Sequence, residues 1–242
     1  MSEDAPTIRV NFSKPMPIFP LDGVVLFPHA VVPLHIFEPR YRQMVSDALD
    51  ESGQIAMAVF EGDRWREEYH ARPPVKACVC VGHIAQHERL SDGRYNILLQ
   101  GVCRARILEE IPPDEECLYR QGMLAPMGVG EEGTENGARA RLRELLLLPP
   151  LARFVDPQGH SLAQGLADLL LRDDSDVPTH VVADLVAHLM VKEPRQRYAA
   201  LAEPEVAERM RLIERELEHL AGMIRRADLQ VDPRAPKGVH WN

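Results

Sequence analysis

A chain of 242 residues with 45% hydrophobic and 27% charged residues has an ordinary globular composition and is long enough to bury a substantial core. Its net charge is −9, and neither half has the excess of Lys and Arg that binding to nucleic-acid phosphates requires. No stretch approaches the ~20 apolar residues of a membrane-spanning helix, and acidic Glu3 and Asp4 stand where a signal peptide would be basic. The four cysteines are too scattered for a disulfide scaffold, so we expect a cytoplasmic protein.

Prolines alternate with short apolar runs between residues 16 and 41. Three β-type runs, 18–19, 24–27 and 31–37, are separated by prolines at positions 17, 20, 28, 33 and 39. Proline cannot donate a hydrogen bond to a neighbouring strand, so within sheets it occurs at edges, bulges and strand ends. The segment therefore predicts short strands that cross at the rim of a barrel.

Further along, Pro39 opens a predicted helix over residues 38–49, whose apolar stripe consists of Tyr41, Met44, Val45 and Ala48. More short strands are predicted at 54–60, 77–89, 94–100, 102–110 and 119–125. We expect 94–100 and 102–110 to pair as a meander, with a bulge or sharp bend at Gly101. Short strands with Gly and Pro corners favour a small, bent β-barrel over residues 14–127, preceded by a flexible tail, 1–13.

The loop between residues 61 and 74 contains Trp65 and Tyr69 among several charges, without a clear period. Two interpretations are open, a binding loop or an ordinary solvated loop with aromatic anchors. After the barrel, four glycines between 128 and 137 predict a linker.

The hydrophobic period then becomes helical, and helices are predicted over 138–148, 161–171 and 179–191. A last helix begins near Pro204, and its apolar residues recur at spacings of four and three: Val206, Met210, Ile213, Leu217, Leu220 and Ile224. This seam packs either within the protein or, through residues 204–226, against a second copy or a partner helix. We assign 138–228 to a helical domain and 229–242 to a flexible tail.

Several short motifs follow one another in the order found in a known family. They are Phe19-Pro20-Leu21, Phe27-Pro28, Pro33-Leu34, Phe37-Glu38-Pro39-Arg40-Tyr41 and the run from Gln100 to Ile107. The series resembles the amino-terminal, substrate-binding domain of Lon proteases, and more closely the stand-alone bacterial proteins built on that domain. A weaker similarity extends over residues 188–217. The resemblance implies an α+β fold, in which a PUA-like bent β-barrel with one helix precedes a C-terminal helical bundle.

Sequence motifs for catalysis are missing. None of the four lysines follows a glycine, as a phosphate-binding P-loop requires, and no serine lies in a Gly-x-Ser-x-Gly turn. On one continuous strand, Cys78 and Cys80 would face away from His83 and His87, so these four share a zinc ion only if Gly82 introduces a bulge. We expect a protein that is not an enzyme and that carries neither a metal nor another cofactor.

The resemblance implies that the barrel binds unfolded or tagged polypeptide, alongside a protease or a chaperone. The candidate contact residues are His35, Phe37, Tyr41, Trp65 and Tyr69. Phe37 and Tyr41 fit core packing as well, which is the preferred interpretation of both.

Two arginines are further candidates, since Arg104 and Arg106 would bond either carbonyls at the barrel rim or a ligand. The alternative function is RNA binding, because the Lon barrel resembles the PUA domains of RNA-modifying proteins in fold. The acidic balance of the chain argues against that alternative.

Overall fold

The computed structural model describes residues 8–67, 72–128, 137–172 and 176–230. Six strands lie in the first part of the chain: β1 Met16–Leu21, β2 Val31–Ile36, β3 Gln54–Val59, β4 Cys78–Arg89, β5 Tyr95–Ile111 and β6 Gln121–Pro126. The helices are α1 Pro39–Asp50, α2 Ala138–Leu146, α3 Leu162–Leu169, α4 Thr179–Met190, α5 Pro194–Ala202 and α6 Val206–Gln230. The predicted α+β fold is confirmed. Most of the predicted linker and parts of both tails lie outside the described residues.

The strands form one mixed sheet in the order β2-β5-β4-β3-β1-β6, and β5 also pairs with β6. That last pairing closes a ring of five strands, β1, β3, β4, β5 and β6. The parallel pair β1–β3 is connected through β2 and α1, while the other pairs are antiparallel. The amino-terminal half of β5, the end of β4 and β2 extend beyond this ring as a three-stranded flap.

The strand β5 changes partners at Gly101. Before this glycine β5 pairs with β2, and after it β5 pairs with β6. The register against β4 shifts between Val81 and Gly82, which leaves Val102 as an extra residue on β5. The predicted bend at Gly101 is therefore present, whereas the prediction of two separate strands is wrong because the bulge lets one 17-residue strand continue through it.

Residues 24–27, predicted as a β-type run, do not form a strand. Leu26 and Phe27 are buried there, and the Phe27 carbonyl lies against Gly101. The neighbouring backbone bonds His29 N–H to Gly101 O at 2.9 Å and Gly101 N–H to Ala30 O at 2.8 Å. The apolar run therefore fills the core from an irregular segment, a role that hydrophobicity alone does not distinguish from a strand.

Two hydrophobic clusters lie on opposite faces of the sheet. The smaller cluster fills the ring with small and branched residues that include Ile18, Ala56, Val81 and Ala105. The larger cluster begins under α1 and continues without a break into the C-terminal helices. In α6, Met210, Ile213, Leu217 and Ala221 are buried, and this helix contacts α2, α4 and α5. The protein's own helices thus cover most of the predicted seam.

Polar contacts also join the helices to the sheet. The Tyr198 hydroxyl accepts the Cys78 N–H at 3.0 Å, and Arg197 donates to the Val25 carbonyl at 3.2 Å. Arg104 of β5 donates from Nη1 to Asp184 of α4 at 2.8 Å and from Nε to the Leu201 carbonyl at 3.1 Å. These bonds fix α4 and α5 against the sheet.

Candidate functional site

The outer face of the three-stranded flap contains a shallow cavity of about 440 Å³. We call it the β2 groove, and its lining residues come from β2, β4 and β5: Pro33, Leu34, His35, Gln86, His87, Glu88, Asn96, Ile97 and Leu98. The register places His35 opposite Asn96, and Asn96 opposite Glu88. Side chains from three adjacent strands therefore meet on one surface.

A hydrogen-bond network fixes the polar side chains of the groove. His35 Nε2 lies 3.2 Å from Arg94 Nη1, and His35 Nδ1 lies 2.8 Å from Asn96 Oδ1. Because a guanidinium only donates, Nε2 accepts and Nδ1 carries the proton that is donated to Asn96. Asn96 in turn donates from Nδ2 to Glu88 Oε2 at 3.0 Å. The network holds the imidazole in one orientation at the rim of the groove.

Arg94 is itself anchored by the turn between β4 and β5. Its Nε donates to Asp92 Oδ2 at 2.7 Å, and the hydrogen bonds from Arg94 hold the pKa of the Asp92 carboxyl below its usual range. Asp92 therefore stays charged at neutral pH and keeps the guanidinium in place beside His35.

Two large apolar side chains next to the groove are exposed. Phe37 has 59% of its surface accessible and Val31 has 47%. The Phe37 ring lies 6.3 Å from the His35 ring, with 25° between their planes. The core interpretation of Phe37 is thus wrong, because Ile36 takes the buried position at the end of β2 and Phe37 points the other way. The rim of the groove is apolar at both ends of β2.

The core interpretation holds for Tyr41, which is 5% exposed. Its ring lies 4.7 Å from that of Phe19, and the Arg40 guanidinium lies 4.5 Å from the ring centroid. Tyr41 thus anchors α1 to the sheet and does not reach the β2 groove.

The other predicted contact residues are dispersed. Trp65 stacks on Phe60 with ring centroids 5.4 Å apart and is half-buried against the cluster inside the ring. Tyr69 lies outside the described residues. Arg106 is exposed on β5, beyond the bulge. Neither Trp65 nor Arg106 lines the β2 groove.

Arg104 lines a different cavity, of about 330 Å³, between sheet and helices. His29, Cys103, His180 and Asp184 also line it. Arg104 is 4% exposed, and its guanidinium bonds Asp184 and the Leu201 carbonyl, which belong to the helices and not to the barrel rim. Burial raises the pKa of the Cys103 thiol to about 11, so this cysteine is a thiol at neutral pH.

The register shift beside Gly82 leaves its extra residue, Val102, on β5, so Gly82 does not introduce the bulge in β4 that a shared zinc site of Cys78, Cys80, His83 and His87 would need. Within the described ranges no three His, Cys, Asp or Glu side chains are grouped closely enough to hold a metal ion. Burial also raises the pKa of Cys80. The same part of the chain contains no helix long and apolar enough to cross a membrane.

Sequence reasoning missed the β4 and β5 side of the groove. Asn96 and Leu98 alternate with the buried Tyr95, Ile97 and Leu99, so the period of two places them on the outer face. The sequence therefore predicts that Asn96 and Leu98 share the outer face. It does not predict that this face lies beside β2, because that pairing depends on a long-range register.

The family model described as ATP-dependent protease La (LON) substrate-binding domain matches residues 15–219. Lon protease 3 of Sorangium cellulosum is 25% identical over 199 residues, which are 80% of this chain and 23% of that protein. The Lon protease of Escherichia coli K12 is 33% identical over 95 residues, which are 38% of this chain and 12% of that protein. The chain spans about a quarter of the length of the curated relatives that it matches most fully.

Two solved structures have a similar fold. The N-terminal domain of a Mycobacterium avium complex Lon protease superposes with a TM-score of 0.61 at 20% identity, covering 85% of this chain and 98% of that one. A Lon N-terminal domain protein from Xanthomonas campestris gives a TM-score of 0.54 at 21% identity, covering 82% and 95%. Both the sheet and most of the helical region are therefore shared.

Proposed function

Since this chain belongs to the family of Lon substrate-binding domains, we propose that it binds unfolded or tagged polypeptide segments, that it does so at the β2 groove, and that it makes and breaks no covalent bonds. The relatives it matches are named as proteases, whereas the matched region is their substrate-binding domain. Recognition of polypeptide is the activity that such a region contributes.

The observation that carries the proposal is the groove with two exposed apolar side chains at its rim. Phe37 and Val31 are exposed to solvent in the free protein. Covering them with an apolar segment lowers the free energy of the complex. Unfolded chains display apolar residues that folded proteins bury, so a surface of this kind discriminates between the two states. The ordered polar network of His35, Asn96 and Glu88 lies beside the apolar rim and offers hydrogen-bonding partners to a bound backbone.

The fate of the bound segment depends on a partner. The family suggests that the chain presents its client to a protease or a chaperone, since the curated relatives join this domain to a much longer protein. A weak, reversible complex suits such a transfer, because a client bound too tightly would not be released.

Retention of a permanently unfolded protein, reduced and carboxymethylated α-lactalbumin, on the immobilised chain tests the proposal. We expect Phe37→Ser to weaken binding about fivefold or more, since an exposed aromatic anchor dominates such contacts. Leu171→Ser is the matched control, because Leu171 is 63% exposed but lies in the turn after α3, in the helical region. Equal losses in the two variants, or no retention by the unmodified chain, would contradict the proposed site.

The same column separates polypeptide binding from RNA binding. Total RNA applied at 50 mM and 200 mM salt should not be retained at either concentration, because phosphate neutralisation needs a basic surface and the chain has a net charge of −9. RNA retention that collapses at the higher salt concentration would favour the alternative function.

A further inference from the structure

The backbone of β2 has hydrogen-bonding groups on both edges, and β5 uses only one of them. Within the described ranges β2 is the terminal strand of the sheet and pairs with β5 alone. The pairing runs without a register shift from Val31 to Ile36. A terminal strand of six residues in unbroken register is a place where another extended chain can be added.

Two observations fix which residues face the open edge. The Ala30 carbonyl accepts from Gly101 of β5, and because backbone groups of a strand alternate in direction, Val32, Leu34 and Ile36 also face β5. Val31, Pro33 and His35 then face away. Pro33 agrees with this assignment, since proline is accommodated in an edge strand where its missing N–H would point to solvent.

We propose that β2 accepts an extended client segment of about six residues as an added strand, paired through the N–H groups of Val31 and His35 and the carbonyls of Val31, Pro33 and His35. This inference rests on the proposed function and specifies its substrate class. The recognised feature is an unpaired, extended backbone, which every unfolded polypeptide offers and which folded proteins have already paired.

Side chains on the outer face add a preference for the client sequence. Val31, Pro33 and His35 are exposed on that face, and Leu98 lies opposite Pro33 on β5. Alternate residues of an added strand lie beside Val31 and Pro33, where apolar side chains pack best. The expected client therefore has apolar residues at every second position.

A second copy of the chain fits the same edge less well. In a symmetric antiparallel pairing centred on β2, Pro33 would lie opposite Pro33, and the central pair would form no hydrogen bond. A client residue opposite Pro33 still donates its own N–H to the Pro33 carbonyl. Proline in the middle of β2 thus disfavours pairing between copies and costs a client one bond.

A scan of N-methylated peptides tests the inference on the unmodified protein. The probe is the fluorescein-labelled heptapeptide Lys-Val-Thr-Val-Thr-Val-Lys, measured by fluorescence anisotropy, with one N-methyl group placed at each of positions two to six in turn. We expect Kd to rise about tenfold or more for one alternating set of positions and less than about twofold for the other, because only alternate N–H groups point at β2. Sensitivity at the valines indicates an antiparallel added strand, and sensitivity at the threonines indicates a parallel one.

The outcomes separate the two proposals. Binding of the unmethylated peptide without a period of two overturns strand addition and leaves polypeptide binding in place. No binding of the unmethylated peptide overturns both. Sedimentation can also show a dimer. If the peptide neither binds nor dissociates that dimer, the open edge of β2 pairs with a second copy and not with a client.

Two protein variants test strand addition by changing β2 instead of the peptide. His35→Ala and His35→Pro both lose the imidazole, but only proline loses the outward N–H. We expect His35→Pro to bind the heptapeptide about threefold to tenfold more weakly than His35→Ala, with thermal unfolding recorded to verify that both variants fold. Equal affinities of two folded variants would argue against a bond from the His35 backbone.

Discussion

Arg104 of β5 and Asp184 of α4 face each other as a two-bond ion pair whose side chains are 3% and 1% exposed. Arg209 Nε lies 3.4 Å from the same carboxylate, so one aspartate balances two buried guanidinium groups. Buried charges are tolerated only with such compensation. This carboxylate is therefore one of the contacts that hold the helices over the sheet.

Asp184→Asn should accordingly lower the free energy of unfolding by about 3–5 kcal/mol, the usual cost of leaving a buried charge uncompensated. Urea denaturation followed by circular dichroism measures this change. The control is Asp228→Asn, which removes the exposed pair with Arg153 and should change the free energy of unfolding little. A loss for Asp184→Asn no larger than that of the control would mean that the pair does not hold the helices in place.

Gly101→Ala tests the bend in β5. A Cβ atom at this position would lie 2.0 Å from the Phe27 carbonyl oxygen, a backbone atom that cannot rotate away. We expect a loss of at least about 2 kcal/mol in the free energy of unfolding, because the strand must move away from the irregular segment. Gly165→Ala in α3 has no atom within 4 Å of the new Cβ and should stabilise the protein by about 0.5–1 kcal/mol. Thermal unfolding of the two variants should therefore shift in opposite directions.

Local sequence patterns predict where helices begin, because helix ends depend on neighbouring residues. Pro39 begins α1, and Ser161 caps α3 by accepting the Gln164 N–H. Residues 24–27 form no strand although most of them are buried, and Phe37 is exposed although it is apolar, because both outcomes depend on what packs against these residues. The family resemblance makes His35 a candidate contact residue, but its partners Asn96 and Arg94 lie about 60 residues away along the chain. Only the register between β2 and β5 brings them together.

His188 makes the stability of the protein depend on pH. Burial, together with the positive charges of Arg197 and Lys192, lowers the pKa of His188 below its ordinary value of 6.5. As the pH falls below about 6.5, the unfolded chain takes up a proton that the folded chain does not, so the free energy of unfolding decreases. The loss continues until the pH reaches the lowered pKa of the folded state.

His188→Gln removes this contribution. The free energy of unfolding of the wild type minus that of the variant should be constant above pH 7. It should decrease as the pH falls from 6.5 to 5, because only the wild type loses the contribution of His188. Urea denaturation at half-unit steps measures it. A difference that does not vary with pH would show that His188 titrates alike in the two states.

The cysteines test the proposal that the chain makes and breaks no covalent bonds. The thiolate is the reactive form, and burial raises the pKa of Cys103 to about 11 and raises that of Cys80 as well. Iodoacetamide at pH 8 should therefore leave both residues unmodified in the folded protein and modify them in urea, as peptide mass mapping can verify. Rapid labelling of Cys103 in the folded state would identify an activated thiol and argue for a covalent role.

Pro33→Ala tests whether the missing N–H of Pro33 limits pairing at the open edge of β2. The substitution restores an outward N–H on a strand whose open edge has donors only at Val31 and His35. We expect the heptapeptide to bind about threefold to tenfold more tightly, the value of one additional hydrogen bond, and the protein to self-associate on sedimentation because the central pair between two copies then bonds as well. Pro112→Ala makes the same change in the loop after β5 and should alter neither property. If both variants behave like the wild type, the outward N–H at position 33 does not limit strand addition, and the open edge of β2 is not where the client binds.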